Sequence, residues 1–227
     1  MPRARSLTSL ASAAIALGSL VGLSACVPSD SRPTLGTAPV DSLSREPTGI
    51  AEVDQVLARL DAVDGKTFTA SYAIQRKLGD LTRSATVVQA PPHTVVQIGD
   101  VALFTDAPQQ TCDVTTQTCE DGLLEQRISD VGISSRFYGP ATAQQLRVAV
   151  GRESSPPTID TAQVGNVTAQ CIHVSVGGGQ ETYCVSGDGV VALLDTAAEH
   201  IELTSYSPDA AASAFTRPGQ ASTTTSS

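Results

Sequence analysis

The first residue of this chain with chemistry of its own is Cys26, which ends the segment Leu23-Ser24-Ala25-Cys26. Two arginines precede residues 7–23, and those residues carry no charge. A positive start, an apolar run and a small-residue exit are the parts of a secretory signal peptide. The pattern therefore predicts a signal peptide over residues 1–25, whose removal leaves the Cys26 thiol at the new amino terminus.

The leucine, the two small residues and the cysteine also resemble the bacterial lipobox, where the thiol receives a diacylglycerol and the new amino terminus is acylated. This resemblance implies a lipoprotein held by Cys26 at the extracytoplasmic face of the plasma membrane. Two or three chains anchor stably, because each buried methylene contributes about 0.8 kcal/mol. The alternatives are a transmembrane anchor, for which the apolar run is short, and an ordinary signal peptide.

Four further cysteines remain once Cys26 is set aside. An even number of cysteines in an exported protein predicts two disulfides. Three connectivities are open, and proximity favours Cys112–Cys119 and Cys171–Cys184. Zinc sites use CxxC-like spacing with nearby histidines, whereas these pairs are separated by six and twelve residues. We therefore expect no metal site.

The chain contains no recognisable catalytic motif. It lacks the P-loop and dinucleotide-binding glycine motifs, the HExxH zinc motif, and the GxSxG and SxxK nucleophile motifs. A polar cluster on one sheet face is predicted from His173, His200, Glu202 and Tyr206. Only Ser175 and Thr204 could act there as nucleophiles, and polar outer faces are common in sheets. The expectation is no enzyme activity, no catalytic residue and no cofactor.

The charge balance excludes nucleic acid as a partner. The full chain has a net charge of −9, and removal of residues 1–25 takes away two arginines and no acid, which gives −11. Nucleic-acid binding needs a basic surface and usually stacking aromatics, and this chain has no Trp. An acidic protein is also repelled by anionic lipid, so membrane attachment would depend on the acyl chains.

Apolar periodicity divides the chain into a tether, one domain and a tail. Residues 26–49 are rich in Ser, Pro, Thr and Gly and predict a flexible tether of roughly 25 Å. Residues 50–216 are long enough to bury their own core. Residues 217–227 are predicted to be a disordered tail.

The domain is predicted to belong to the α+β class, with an antiparallel sheet and helices on one face. Apolar residues recur at helical spacing over 50–63 and over 140–150, with Pro140 near the start of the second helix. Residues 122–133 are loosely helical, residues 112–119 read as a polar loop, and residues 208–214 as a short helix. The strand candidates are 68–75, 81–88, 95–98, 101–104, 164–176, 180–186, 190–196 and 199–206.

The order of these elements resembles the LolA-like lipoprotein-carrier superfamily, including LppX/LprG-type envelope lipoproteins. The resemblance covers residues 50–216 and includes the strand 66–72, the helical insertion, and the closing strands 190–195 and 200–205. It implies a curved half-barrel with helices on its concave face and a cavity for acyl chains. The residues expected to line that cavity are Phe68, Tyr72, Ile74, Val96, Ile98, Leu103, Val191 and Leu193.

Two functions follow from the sequence. The first is a membrane-anchored envelope lipoprotein that binds or carries a lipid, glycolipid or other acylated ligand without catalysis. The second is a non-catalytic interaction or sensory module with a filled core that binds another envelope protein.

Overall fold

The computed structural model describes residues 46–219. Its helices are α1 (Ala51–Asp61) and α2 (Pro140–Val150), with 3₁₀ turns at Val63–Gly65, Glu125–Val131 and Ala212–Phe215. Its strands are β1 (Phe68–Arg76), β2 (Leu81–Ala90), β3 (His93–Ile98), β4 (Val101–Phe104), β5 (Gln110–Asp113), β6 (Thr118–Asp121), β7 (Thr158–Val164), β8 (Val167–Val176), β9 (Gly179–Ser186), β10 (Val191–Asp195) and β11 (Glu199–Ser207). Cys26, residues 1–25, most of the predicted tether and residues 220–227 lie outside the described residues.

The strands form one open antiparallel sheet. Their order is β6-β5-β4-β3-β2-β1-β11-β10-β9-β8-β7, so β1–β6 and β7–β11 are two meanders joined where β1 pairs with β11. That pairing runs from Thr69 opposite Ser207 to Arg76 opposite Glu199. The predicted α+β class with a large antiparallel sheet is confirmed.

The β7–β8 turn shows how strongly the second meander curves. The Asn166 side chain in this turn donates to the Tyr206 carbonyl and accepts from the Tyr206 amide, each at 2.8 Å. Tyr206 is on β11, and two strands separate β8 from β11 in the sheet. Gly165 permits the approach, since a Cβ there would lie 2.6 Å from the Leu203 carbonyl oxygen.

Both helices pack on the same face of the sheet, which we call the helix face. The apolar side of α1, formed by Val53, Val56, Leu57 and Leu60, is buried there. The amide and the hydroxyl of Thr48 both donate to Asp54 Oδ1, at 2.7 and 2.8 Å. The last part of the predicted tether therefore contacts α1. An ion pair between Arg147 of α2 and Asp61 joins the two helices.

The segment between β6 and α2 fills the helix face above β1. The Phe137 ring packs edge-on against Tyr72 at 5.0 Å, and the Tyr138 ring against Phe68 at 5.9 Å. The Gln89 side chain links this region to the sheet. Its amide nitrogen donates to the carbonyls of Val63 (2.6 Å) and Lys66 (2.9 Å), and its amide oxygen accepts from the Tyr138 hydroxyl. The result is a continuous packed core.

Three local predictions from the sequence were wrong. The predicted polar loop over 112–119 is the hairpin β5–β6. The predicted strand 164–176 is only β8, because Gly165 and Asn166 turn the chain after an additional strand, β7. The predicted helix over 208–214 is reduced to the 3₁₀ turn Ala212–Phe215. Strands β6 and β7 are edge strands with little buried surface, so their sequences lack the apolar alternation of a half-buried strand.

The two disulfides join Cys112 to Cys119 and Cys171 to Cys184. Each links residues that lie directly opposite one another on neighbouring antiparallel strands. The first crosslinks the hairpin at one edge of the sheet, and the second crosslinks β8 to β9 near the other edge. Each half of the sheet therefore carries one covalent crosslink.

The C-terminal segment covers part of the opposite, outer face of the sheet. Val95, Ala102, Phe104 and Cys112 form a second buried cluster there, with Phe215 packed against it. Arg217, the first residue of the predicted tail, lies over the Phe104 ring at 5.2 Å and donates to the Pro108 carbonyl at 2.9 Å.

The β9–β10 turn packs tightly beneath the end of α1. Gly189 in this turn is buried and has a φ of +87°, and a Cβ there would overlap the Arg59 carbonyl. The Arg59 guanidinium also donates to Gln170 on β8. This contact fixes α1 against the second meander.

We expect Gly189→Ala to lower the free energy of unfolding by about 2 kcal/mol or more, because it combines positive φ with a backbone clash. Gly187→Ala is the matched control in the same turn, since a Cβ there would meet no atom within 4 Å. Urea unfolding followed by circular dichroism measures both variants. Equal stabilities would contradict the close packing of this turn on α1.

Candidate functional site

A pocket of about 520 Å³ opens between α2, the segment 132–134 and the second meander. It lies beside the packed core on the helix face. Its apolar lining comprises Ile133, Phe137, Ala141, Val148, Ala149, Val176, Leu194 and Ala198. Its polar lining includes Gln144, Gln145, Arg152, Glu181, Tyr183 and Glu199.

Helix α2 supplies one wall of the pocket because it is buried on one side only. Thr142, Ala143 and Leu146 are buried. Gln144, Gln145 and Val148 lie on the pocket side. Val148 is 43% exposed, and it is one of two large apolar side chains that are exposed among residues 46–219; the other is Leu78, in the β1–β2 turn.

The strands supply the opposite wall through their two-residue alternation. Glu181 and Tyr183 on β9 point to the same side, and Leu194 on β10 is paired with Tyr183. Glu199 begins β11 and shares its buried side with Ile201 and Leu203. Main-chain and side-chain hydrogen bonds between Thr196 and Glu199 hold the β10–β11 turn. The apolar and acidic groups of the pocket are thus fixed by regular strands.

Glu199 is a carboxyl group buried in the pocket wall, with only 5% of the residue exposed. Its Oε1 atom accepts a hydrogen bond from Gln145 Nε2 at 3.1 Å. Within residues 46–219, no protein group donates to its Oε2 atom. Desolvation raises the pKa of Glu199 above its usual value; the Gln145 bond opposes this shift, and the nearby Glu181 charge adds to it.

Tyr183 and Glu181 form a second polar pair in the pocket. The Tyr183 hydroxyl donates to Glu181 Oε2 at 2.6 Å. Burial, and then this hydrogen bond, raises the pKa of Tyr183 well above its usual range. The tyrosine therefore remains a protonated donor, and its proton is already committed to Glu181.

The polar groups of the pocket are hydrogen-bonding groups, most of which already have protein partners. Its aliphatic hydroxyls belong to Ser134 and Thr196, and the Thr196 hydroxyl is bonded to the β10–β11 main chain. Among the described residues, no three His, Cys, Asp or Glu side chains converge as a metal site requires. The groups present can surround an apolar chain and exchange hydrogen bonds with a polar group at Glu199.

The residues predicted to line a cavity lie elsewhere. Seven of them are buried in the packed core, and none of those seven lines the pocket: Phe68, Tyr72, Ile74, Val96, Ile98, Leu103 and Val191. Leu193 is half-buried opposite Cys184 and Glu202, on the other face of the sheet from Leu194. A contact between these eight residues and a ligand stays a prediction.

The polar cluster predicted from the histidines is divided between separate contacts. His173 is bonded to Thr182 (3.0 Å) and Asp160 (3.2 Å), whereas His200 is bonded to Asp195 at 3.2 Å. The Thr204 hydroxyl donates to the Ser71 carbonyl at 3.0 Å. The hydroxyl at His173 is thus that of Thr182, and within residues 46–219 neither of the two predicted nucleophiles, Ser175 and Thr204, is hydrogen-bonded to an imidazole.

Sequence reasoning missed Glu181, Glu199 and Gln145. A signal for Glu199 was present, because it precedes Ile201 and Leu203 by two and four residues and so shares their buried face. The helical pattern placed Gln145 beside the apolar stripe of α2, but it did not indicate a hydrogen-bond partner for this side chain. No pattern along the chain relates α2 to the start of β11.

No protein-family model matches the sequence, and no curated protein shows significant similarity to it. Among solved structures, MucB is similar over 74% of this chain and 63% of its own, with 13% identity and a TM-score of 0.44. The Pseudomonas aeruginosa MucA/MucB complex gives 12% identity over 73% of this chain and 60% of that chain, with a TM-score of 0.41. A LolA superfamily protein from Nitrosomonas europaea gives 9% identity over 68% of this chain and 92% of that chain, with a TM-score of 0.30.

This chain thus spans less than two thirds of the MucB chain. No family assignment follows from TM-scores of this size. No helix in residues 46–219 is long and apolar enough to cross a membrane.

The buried Glu199 makes a pH-dependent contribution to stability. Its folded pKa exceeds the ordinary value of 4.5, so the folded chain binds this proton more tightly than the unfolded chain. Protonated Glu199 therefore contributes to the free energy of unfolding below pH 4.5, and this contribution is lost as the pH rises through the folded pKa.

We expect the free energy of unfolding of Glu199→Gln not to show this fall with rising pH. Glutamine is neutral over the whole pH range, and its amide oxygen can still accept from Gln145. The measurement is urea unfolding at a series of pH values from about 4 to 8. Glu202→Gln, on the outer side of the same strand, is the matched control and should keep the wild-type pH dependence. A constant stability difference between wild type and Glu199→Gln would contradict the assignment.

Proposed function

We propose that this protein is an envelope lipoprotein that binds one amphipathic ligand, without catalysis, in the pocket between α2 and the second meander. Cys26 anchors it at the extracytoplasmic face of the plasma membrane, and the ligand is a lipid or another acylated molecule. The observation that carries the proposal is the pocket itself, with an apolar wall and one buried carboxyl group.

The size and lining of the pocket support a small-molecule ligand. Ligand pockets typically measure roughly 300–1,000 Å³ and combine apolar walls with a few fixed polar groups. Burial of apolar surface contributes roughly 25 cal/mol per Å², so a chain packed on Phe137, Val176 and Leu194 would supply the affinity. Val148, an exposed apolar side chain in the lining, would gain burial when the pocket is occupied.

The architecture supports a LolA-like carrier as the finer form of the proposal. An open, curved antiparallel sheet with helices on one face is the arrangement that this resemblance implies. The tether predicted between the lipidated residue and the domain would keep the pocket close to the membrane surface. A ligand could then pass between membrane and pocket over a short distance.

A second function is favoured by a different observation. Seven of the residues expected to line a lipid cavity belong to the same buried core as α1 and the Phe137–Tyr138 segment, and two of them, Phe68 and Tyr72, pack directly on that segment, so this part of the sheet is filled. A filled sheet suits a module that binds another envelope protein through its surface. In that case the pocket would receive a side chain of the partner rather than a free ligand.

Analysis of bound lipid tests the proposal. The full-length protein is purified from the envelope in a mild detergent, and non-covalent lipid is extracted with organic solvent and quantified by mass spectrometry. We expect about one ligand per protein, which distinguishes it from the acyl chains fixed to Cys26.

Val148→Asp should reduce that occupancy at least about tenfold, because a charge in the apolar wall must be desolvated when a chain binds. Leu78→Asp is the matched control, since Leu78 is the other exposed large apolar side chain and does not line the pocket. A wild-type protein without extractable ligand that also takes up no offered lipid would favour the protein-interaction function.

A further inference from the structure

The polar end of the pocket is an arrangement of hydrogen-bond acceptors. The residue Glu199 is only 5% exposed, and its Oε2 atom receives no hydrogen bond from any residue within 46–219 but remains accessible to solvent. Glu181 accepts the Tyr183 proton through Oε2 at 2.6 Å. The two carboxyl groups line the same pocket and interact electrostatically. A ligand reaching this end meets oxygen atoms that can accept further hydrogen bonds.

The protein donors at this end are largely used already. The Tyr183 hydroxyl is committed to Glu181, and the Gln145 amide donates to Glu199 Oε1 at 3.1 Å. Gln144 and Arg152 are the other donors in the lining, and both are exposed to solvent. Exposed charges are screened by water and salt, whereas buried groups are screened much less. Glu199, which is buried, and Glu181, which is half-buried, therefore determine which head group can enter.

From this arrangement we infer that the ligand is a single-chain amphiphile whose head group donates hydrogen bonds and carries no negative charge. The inference rests on the proposed function and names the ligand class of the same pocket. The donating group can be uncharged, as in an alcohol or amide, or it can be an ammonium. A carboxylate or phosphate head would instead face Glu181 and Glu199 across a partly desolvated site.

The electrostatics of Glu199 agree with this assignment. Desolvation raises its pKa, because burial removes water that would solvate the ionised form. A head group that donates hydrogen bonds would replace part of the lost solvation of the Glu199 carboxylate. An anionic head group would add a like charge to a carboxyl group that already resists ionisation.

Matched eight-carbon probes test the head-group preference. The mature full chain from Cys26 is placed in phosphatidylcholine nanodiscs, and equilibrium dialysis measures binding of octanamide, octylamine and octanoate at pH 7 against empty nanodiscs. We expect octanamide or octylamine to bind at least about tenfold more tightly than octanoate. Whichever of the two binds more tightly identifies the uncharged or the cationic form of the donor.

Two acidic variants with the same change in net charge locate the effect. Glu199→Gln should reduce the preference over octanoate at least about tenfold, because it removes the buried acceptor and its charge. Glu202→Gln lies on the same strand but on the outer side, and it should keep the full preference. Equal effects of the two variants would overturn the inference, since the preference would then reflect net charge alone.

The outcomes also separate this inference from the proposed function. Octanoate binding as tightly as octanamide, with binding lost in Arg152→Gln, would overturn the head-group assignment and leave a lipid-binding pocket in place. Failure of all three probes to bind wild-type protein, together with the absence of extractable lipid, would overturn both.

Discussion

The pairing of β1 with β11 is the constraint on which the rest of this structure depends. It joins into one sheet two meanders that share no other strand pairing among the described residues, through a register that runs from Thr69 opposite Ser207 to Arg76 opposite Glu199. The end of that register fixes the start of β11, and therefore the position of Glu199 beside Gln145 of α2. The pocket exists because an N-terminal strand holds the C-terminal strand in this place.

Phe137 connects the core to the pocket. Its ring packs edge-on against Tyr72 at 5.0 Å, and it also lines the pocket. The Tyr72 hydroxyl is buried without a hydrogen-bond partner among the described residues. A ligand against Phe137 would thus touch the same side chain that closes the helix face over β1. The segment between β6 and α2, which carries Phe137, therefore both fills the core and forms part of the pocket wall.

Much of the fold could be predicted because its patterns are local. The apolar face of α1 recurs at helical spacing, and Phe68, Tyr72 and Ile74 alternate as a half-buried strand does. Strand β7 could not be found this way, because an edge strand with mostly exposed side chains has no apolar period. The pairing of opposed cysteines was predictable from proximity, since both pairs bridge a hairpin.

The pocket could not be predicted from the sequence in the same way, for a physical reason. Periodicity identifies which residues are buried, but it does not show what packs against them. Seven of the eight strand residues predicted to line a cavity are buried, as their pattern requires, but they lie in a filled core, and Phe137 and Tyr138 pack directly on Tyr72 and Phe68. Leu194 faces the pocket and Leu193 does not, a difference of one position in a run that is apolar on both sides.

The joining of β1 to β11 also sets the order in which the sheet can be assembled. Synthesis and export both deliver a chain N-terminus first, so β1 and β2 can pair before β11 is available. Until then, the second edge of β1 carries unpaired amide and carbonyl groups, which attract other extended chains. The first meander can therefore form its own hydrogen bonds early, but one of its edges stays open until β11, the last strand of residues 46–219, pairs with it.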